Sequence, residues 1–324
     1  MLVRTDEFLQ ERDRSMKIGV VGLGRMGAAI THRLVETGCQ VFAFDRDPKR
    51  CEAVKSGSID IAQDSRAVAA STDVVISIVT DDESVRSLFL GSEGFTQADI
   101  TGKLFIEMST IRPMTILQLA GIVETHGAGL VDAPVLGSVS AVRKGDLLAL
   151  VGGQTRDVDR SQPVLSRLTR KIVHLGGSGT GNALKLAVNL TMAAYLQSVS
   201  EALALGRSYD LSIDTMLEVL SEAPTANPWL ASKLDVLKGD SADTTLDIQT
   251  LRKDVMCAVA TGTLAGIPMP ASAGVLSALS AAVASGWGAN DLGELPRFFR
   301  DSMLQRGSEE TNGAGSRPQD GGEK

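Results

Sequence analysis

Residues 17–46 read KIGVVGLGRMGAAITHRLVETGCQVFAFDR. The run 17–22 is apolar and ends in glycine, which predicts a buried strand meeting a tight turn. Apolar positions then recur at helical spacing over 26–37, and Gly38 closes that helix. Residues 40–44 (QVFAF) form a second strand. Between the first strand and the helix, Gly22, Gly24 and Gly27 spell GxGxxG, and the acid Asp45 follows at the end of the second strand. Gly22 permits the turn, Gly24 lets a pyrophosphate approach the backbone, and Gly27 lets helix and strand touch. The helix N-terminus offers that pyrophosphate free N–H groups and the positive end of a dipole. The stretch therefore predicts a dinucleotide cradle of Gly22, Leu23, Gly24, Arg25, Met26 and Gly27. Asp45 would accept hydrogen bonds from the adenosine ribose, which favours NAD; Arg46 beside it could hold a 2′-phosphate, which keeps NADP open. The plain alternative is a glycine turn in an α/β protein that binds nothing.

Outward from this unit, apolar strand-like runs at 74–79 (VVISIV), 104–108, 130–135 and 147–151 alternate with helical segments. Such a series means a parallel sheet covered on both faces, so the fold class is α/β with a Rossmann-type, doubly wound sheet. After the glycine-rich stretch 176–181 (GGSGTG) only helical spacing remains. Residues 184–205 are almost uniformly apolar or small, but they include Lys185, Asn189 and Glu201, so this is a buried helix and not a membrane span. Further helices are expected at 212–221, 228–238, 246–264 and 271–285. The division expected is a polar leader over 1–15, read as disordered, a nucleotide-binding domain over 16–178, and an all-helical domain over 179–305. A tail over 306–324 has no large apolar side chain and is read as disordered. Met16 is a candidate natural start.

The whole chain fits this reading. With 324 residues, 43% hydrophobic and 22% charged, it has ordinary globular composition and room for two domains. Its net charge of −7 argues against a nucleic-acid partner, which needs a basic excess, and no run is apolar enough for a membrane. Cys39, Cys51 and Cys257 are far apart, which fits a reducing, cytoplasmic setting, and no His/Cys spacing suggests a metal. His126, before Gly127, reads as a helix C-terminal cap, and Trp229 as a core or interface aromatic.

The opening segment resembles that of the β-hydroxyacid dehydrogenase family, whose members include 3-hydroxyisobutyrate dehydrogenase and glyoxylate/succinic semialdehyde reductase. Residues 107–112 (EMSTIR), 132–138 (DAPVLGS) with 151–153 (VGG), 179–189 (GTGNALKLAVN) and the pair Lys253-Asp254 resemble further family motifs, in the right order. The resemblance covers roughly residues 16–300. It implies that Lys185 is the catalytic lysine and Asn189 its partner, and that Gly137 and Ser138 bind a substrate carboxylate. It further implies that Ser109 and Thr110 contact the nicotinamide side of the cofactor, that Val79 and Thr80 lie along it, and that Lys253 reaches it. It also implies reversible hydride transfer between NAD or NADP and a small 3-hydroxy acid or its semialdehyde. A homodimer or homotetramer fits both the family and the apolar helical half. The chain departs from the family pattern at Leu136, Ser138 and Ala141-Val142, in the substrate signature, and at Leu190 after Asn189. The pocket floor is therefore individual to this chain.

The chemistry can be argued from the residues too. Hydride delivery to a carbonyl leaves charge on oxygen, and a lysine desolvated in an apolar helix is suited to give it a proton. Asn189, four residues on from Lys185, shares its helix face. Gly137-Ser138 offers an N–H and a hydroxyl to a carboxylate. Each has a bland reading as well: Lys185 as a lysine that snorkels to water, Asn189 as a local hydrogen-bonder, Ser138 as a turn residue, Ser109-Thr110 as a helix cap, and Lys253-Asp254 as a solvated pair. Two other functions remain open, an imine reductase-like enzyme and a non-catalytic dinucleotide-binding scaffold.

Overall fold

The computed structural model describes residues 16–241 and 244–300, so the leader and tail expectations lie outside the described residues. The chain divides into two compact units. The first runs to Asn189 and takes in Met256–Pro268; the second is Leu190–Val255 together with the residues from Met269 on.

In the first unit the order is β1 (Lys17–Val21), α1 (Arg25–Glu36), β2 (Gln40–Phe44), α2 (Pro48–Val54), β3 (Ile59–Ile61), α3 (Ser65–Ser71), β4 (Val74–Ser77) and α4 (Asp82–Leu90). Then come β5 (Leu104–Glu107), α5 (Pro113–Thr125), β6 (Gly129–Asp132), β7 (Val135–Leu136), α6 (Val139–Lys144), β8 (Leu147–Gly152), α7 (Thr155–Leu165) and β9 (Thr169–Gly176). α8 (Thr180–Arg207) starts in the first unit and passes into the second. The second unit is helical: the rest of α8, α9 (Ile213–Glu222), α10 (Pro228–Lys238), the start of α11 (Ile248–Leu264), and α12 (Pro270–Ala284).

The sheet runs β3-β2-β1-β4-β5-β6-β8-β7, with β9 on β8. The predicted parallel sheet accounts for β3 through β6. Beyond that point β8 runs antiparallel to both β6 and β7. The single strand expected over 130–135 is broken into β6 and β7 at Ala133-Pro134, where proline has no N–H to give a ladder. β3 and β9 had no sequence expectation. Both lie at edges, and only Ile59 of β3 is buried while β9 exposes Arg170 and Lys171, so neither carries an apolar run.

Two apolar layers sandwich the sheet. One gathers Ile18, Val20, Ile30, Leu34, Ile76 and Val131. The other is built on Phe89, Phe95 and Phe105, with ring centroids 4.9 to 5.3 Å apart. Apolar positions on both faces of a strand leave its ends as the place for polar groups. The register puts one residue from each of six strands in a single row at those ends: Phe44, Val21, Ser77, Glu107, Asp132 and Gly152. Three of the six are polar, and all three are fully buried.

The second unit has its own core of Val199, Leu203, Leu217, Leu230 and Leu237. Trp229 packs there edge-on against Tyr195, 5.7 Å between ring centroids, so its core reading is the one the structure carries. Lys233 is buried against Asp291 at 2.7 Å, with Thr245 as a further acceptor. His126 closes α5, and Gly127 after it takes φ +70°.

Candidate active site

The glycine turn follows β1 as its sequence requires. Gly22 sits at φ +93°, and a Cβ there would overlap the Ile78 carbonyl. A Cβ on Gly27 would overlap the carbonyl oxygen of Gly22, so α1 rests directly on the turn. Gly24 is the opposite case: a Cβ there would meet nothing within 4 Å. Gly24 also brings no side-chain cap to α1, whose first turn, with Arg25, Met26 and Gly27, is left for an external anion. An open cradle at Gly24 above two close-packed glycines fits a dinucleotide pyrophosphate.

Asp45 is buried, and its carboxylate is already engaged. One oxygen accepts the Leu23 N–H at 2.7 Å and the other the Asp47 N–H at 2.8 Å. Arg50 lies 3.4 Å from it, and Arg46 is exposed. Asp45 thus ties the second strand to the glycine turn, a contact that spacing alone did not reveal.

The loops after β4 and β5 are joined through Ser109. Its hydroxyl accepts the Val79 N–H at 2.8 Å, and its own N–H goes to Glu107 at 2.7 Å. Ser109 therefore does not cap α5, whose N-cap is Arg112. Thr80 is exposed, its hydroxyl 3.4 Å from Asp81 and from Ser84, and Thr110 is half-buried. Gly137 takes φ +137°, and Ser138 is an exposed N-cap of α6 with no side-chain cap bond. On α8, Lys185 is half-buried, less enclosed than its apolar sequence neighbours suggest, and Asn189 is buried. The cofactor loops, Gly137-Ser138, Lys185 and Asn189 all belong to the first unit; Lys253 belongs to the second, where its ammonium lies 2.6 Å from Asp254.

Sequence reasoning missed Glu107, Asp132 and Asn182 as functional candidates. Glu107 accepts the Ser77 hydroxyl and the Ser109 N–H. Asp132 accepts the Gly179 and Asn182 N–H groups, each at 2.7 Å. The Asn182 carboxamide oxygen accepts the Ile111 N–H at 2.9 Å. The available signal was an acid closing an otherwise apolar strand, in LFIE and in GLVD.

Burial raises the Glu107 carboxyl to about 7 against the hydrogen bonds of Ser109 and Ser77, with Asp132 adding repulsion. Burial likewise raises Asp132 to about 6 against the N–H groups of Asn182 and Gly179. Folded values above the unfolded ones mean that the folded chain favours the neutral acids. Their stabilising contribution is complete below about pH 4 and is lost as pH rises through 6 and 7. Glu107→Gln removes one such group, so its melting temperature should fall less than the wild type's between pH 5 and pH 8. The expected difference is a few degrees, because ~1 kcal/mol moves the midpoint of a domain this size by about 2–4 °C. Equal slopes in calorimetry would show that Glu107 does not titrate in this range.

The chain matches the model for the NAD binding domain of 6-phosphogluconate dehydrogenase over residues 17–176. It matches the model for NAD-binding of NADP-dependent 3-hydroxyisobutyrate dehydrogenase over 179–299. It is 34% identical to a 3-hydroxyisobutyrate dehydrogenase of Pseudomonas aeruginosa, over 65% of this chain and 70% of that one. It is 29% identical to 2-(hydroxymethyl)glutarate dehydrogenase of Eubacterium barkeri, over 86% and 93%. Among solved structures it is similar to Mycobacterium tuberculosis 3-hydroxyisobutyrate dehydrogenase with L-serine, at TM-score 0.78 and 26% identity, covering 88% of this chain and 99% of that one.

Proposed function

We infer the activity from membership and site together: the chain belongs to the β-hydroxyacid dehydrogenase family, and it is an NAD(P)-dependent oxidoreductase acting on hydroxyl groups. The reaction is the interconversion of a small 3-hydroxy acid and its semialdehyde or oxo acid. The bound dinucleotide supplies or accepts the hydride. Lys185 gives a proton to the carbonyl oxygen in reduction and takes it back in oxidation. Asn189, one turn along α8, holds the substrate oxygen beside it. Ser138 and the Gly137–Ser138 backbone bind the substrate carboxylate; the exposed hydroxyl of Ser138 makes no hydrogen bond among the described residues and is available for it. Val79, Thr80, Ser109 and Thr110 line the cofactor. The observation that carries the reading is the presence, in one unit, of an open glycine cradle and a helix bearing Lys185 and Asn189 four residues apart.

Among the described residues, no helix is long and apolar enough to cross a membrane. The cytoplasm is the proposed setting, supported by three free, buried cysteines. A homodimer or homotetramer is supported by Leu205, Tyr209 and Val219, all exposed in the second unit.

The test is loss of nicotinamide absorbance with purified protein, NADH and NADPH in turn, and a panel of glyoxylate, succinic semialdehyde, methylmalonate semialdehyde and tartronate semialdehyde. Turnover of one or more of these is the expected result. Cofactor binding without turnover of any would replace the reading with an imine-reducing or a non-catalytic, dinucleotide-binding protein.

A further inference from the structure

α8 begins without a cap of its own. The residue before its first turn is Gly179, at φ +87°, which has no side chain to accept the free amides. A helix start of this kind needs an acceptor from elsewhere. Asp132 supplies it from the end of β6, 47 residues earlier in the chain. One of its oxygens takes the Gly179 N–H and the other the Asn182 N–H, both at 2.7 Å. When ionised it also places a negative charge at the positive end of the helix dipole.

The same turn is held from two further sides. The side chain of Asn182 accepts the Ile111 N–H, which ties α8 to the loop carrying Ser109 and Thr110. Gly181 lies so close to the sheet that a Cβ there would overlap the Leu150 carbonyl and sit 2.9 Å from the Asp132 carbonyl. The start of α8 is therefore fixed to the end of β6, to β8 and to the loop after β5. Lys185 stands three residues beyond Asn182 and Asn189 seven beyond it, the spacing of one helix face.

We propose that Asp132 is a positioning residue for Lys185: it fixes the first turn of α8 to the carboxyl end of the sheet and so sets where the Lys185 ammonium stands. The inference rests on Lys185 being the proton donor of the proposed reaction. It gives the one acid of the DAPVLGS segment a task separate from substrate binding. The ionised form is the better acceptor for two N–H groups, and an amide in its place turns one NH2 against a backbone N–H.

The experiment compares wild type with Asp132→Asn in two readouts. Hydrogen–deuterium exchange should accelerate at least about tenfold at the start of α8 and stay unchanged over 17–36. The kcat for aldehyde reduction should fall about 10- to 100-fold, the scale of a displacement near 1 Å, while the Kd for NADPH or NADH moves less than threefold. A residue that serves stability alone would instead raise exchange across the whole unit and leave kcat intact below the melting temperature, and that result would overturn the proposal. Wild-type exchange at α8 in the variant would overturn it equally. Should Asp132→Asn fail to fold, Asp132→Glu keeps the charge but moves both oxygens away from the Gly179 and Asn182 N–H groups. A smaller, parallel change in exchange and kcat is then expected, and no change in either rejects the anchoring. If the wild type itself turns over no substrate, the reductase reading falls, and the exchange comparison still decides whether Asp132 anchors α8.

Discussion

Replacing Lys185 by alanine will lower kcat for aldehyde reduction by about 10²- to 10⁴-fold, the contribution of a positioned general acid. The carbonyl oxygen gains charge as hydride arrives, and among the candidate residues only Lys185 is an acid suited to proton donation from α8. Ser138 is proposed to bind the carboxylate, and Asn189 can donate a hydrogen bond but not a proton. The cofactor cradle is built by β1, α1 and Asp45, none of which involves Lys185, so the Kd for reduced cofactor should change by less than about twofold on fluorescence titration. Exposure at Lys185 is intermediate, so truncation leaves no large void and the fold should survive. Steady-state kinetics on the aldehyde that the wild type prefers provide the check. A kcat within threefold of wild type would remove Lys185 from the mechanism, and the lysine would then be a solvent-reaching side chain.

The second large effect separates folding from binding within one motif. Gly27→Val forces a branched side chain into the Gly22 carbonyl, a clash of backbone against Cβ that no rotamer relieves. α1 must move off β1, which should cost at least about 1–3 kcal/mol and abolish cofactor binding. Gly24→Ala meets nothing within 4 Å, so its melting temperature should match wild type. It nevertheless places a methyl where the pyrophosphate approaches the backbone, so cofactor affinity should fall at least about tenfold. Calorimetry and fluorescence titration on the pair test this. A destabilised Gly24→Ala that binds normally would mean that the cradle lies elsewhere.

How much was legible in the sequence depended on whether a feature is local. The glycine turn, α1 and β2 sit within thirty consecutive residues, and their spacing is itself the signal. α10 was readable because Pro228 opens it and Gly239 closes it. The edge strands were hidden because Asp60, Arg170 and Lys171 interrupt any apolar pattern. The reversal of β8 was hidden because an apolar strand reads the same in either direction. The network of Glu107, Asp132 and Asn182 depends on contacts across many residues of sequence, up to 71 for Asn182 and Ile111. The polarity of each residue could be read; its partner could not. For Lys185 an apolar helix suggested burial, but the helix turns a partly open face there, and only coordinates distinguish the two.

Asp45 clasps β2 to the glycine turn, and that constrains how such a chain can drift over generations. The position expected from the sequence to read the ribose also keeps Leu23 and Asp47 in place. A change there meant to admit a 2′-phosphate would loosen the pyrophosphate seat at the same step, and affinity for both dinucleotides would suffer before either was preferred. Arg46 carries no such burden, because its side chain is exposed and closes no turn. Cofactor choice in this chain can therefore evolve by small, tolerable steps at Arg46, while the acid beside it is locked by its second duty.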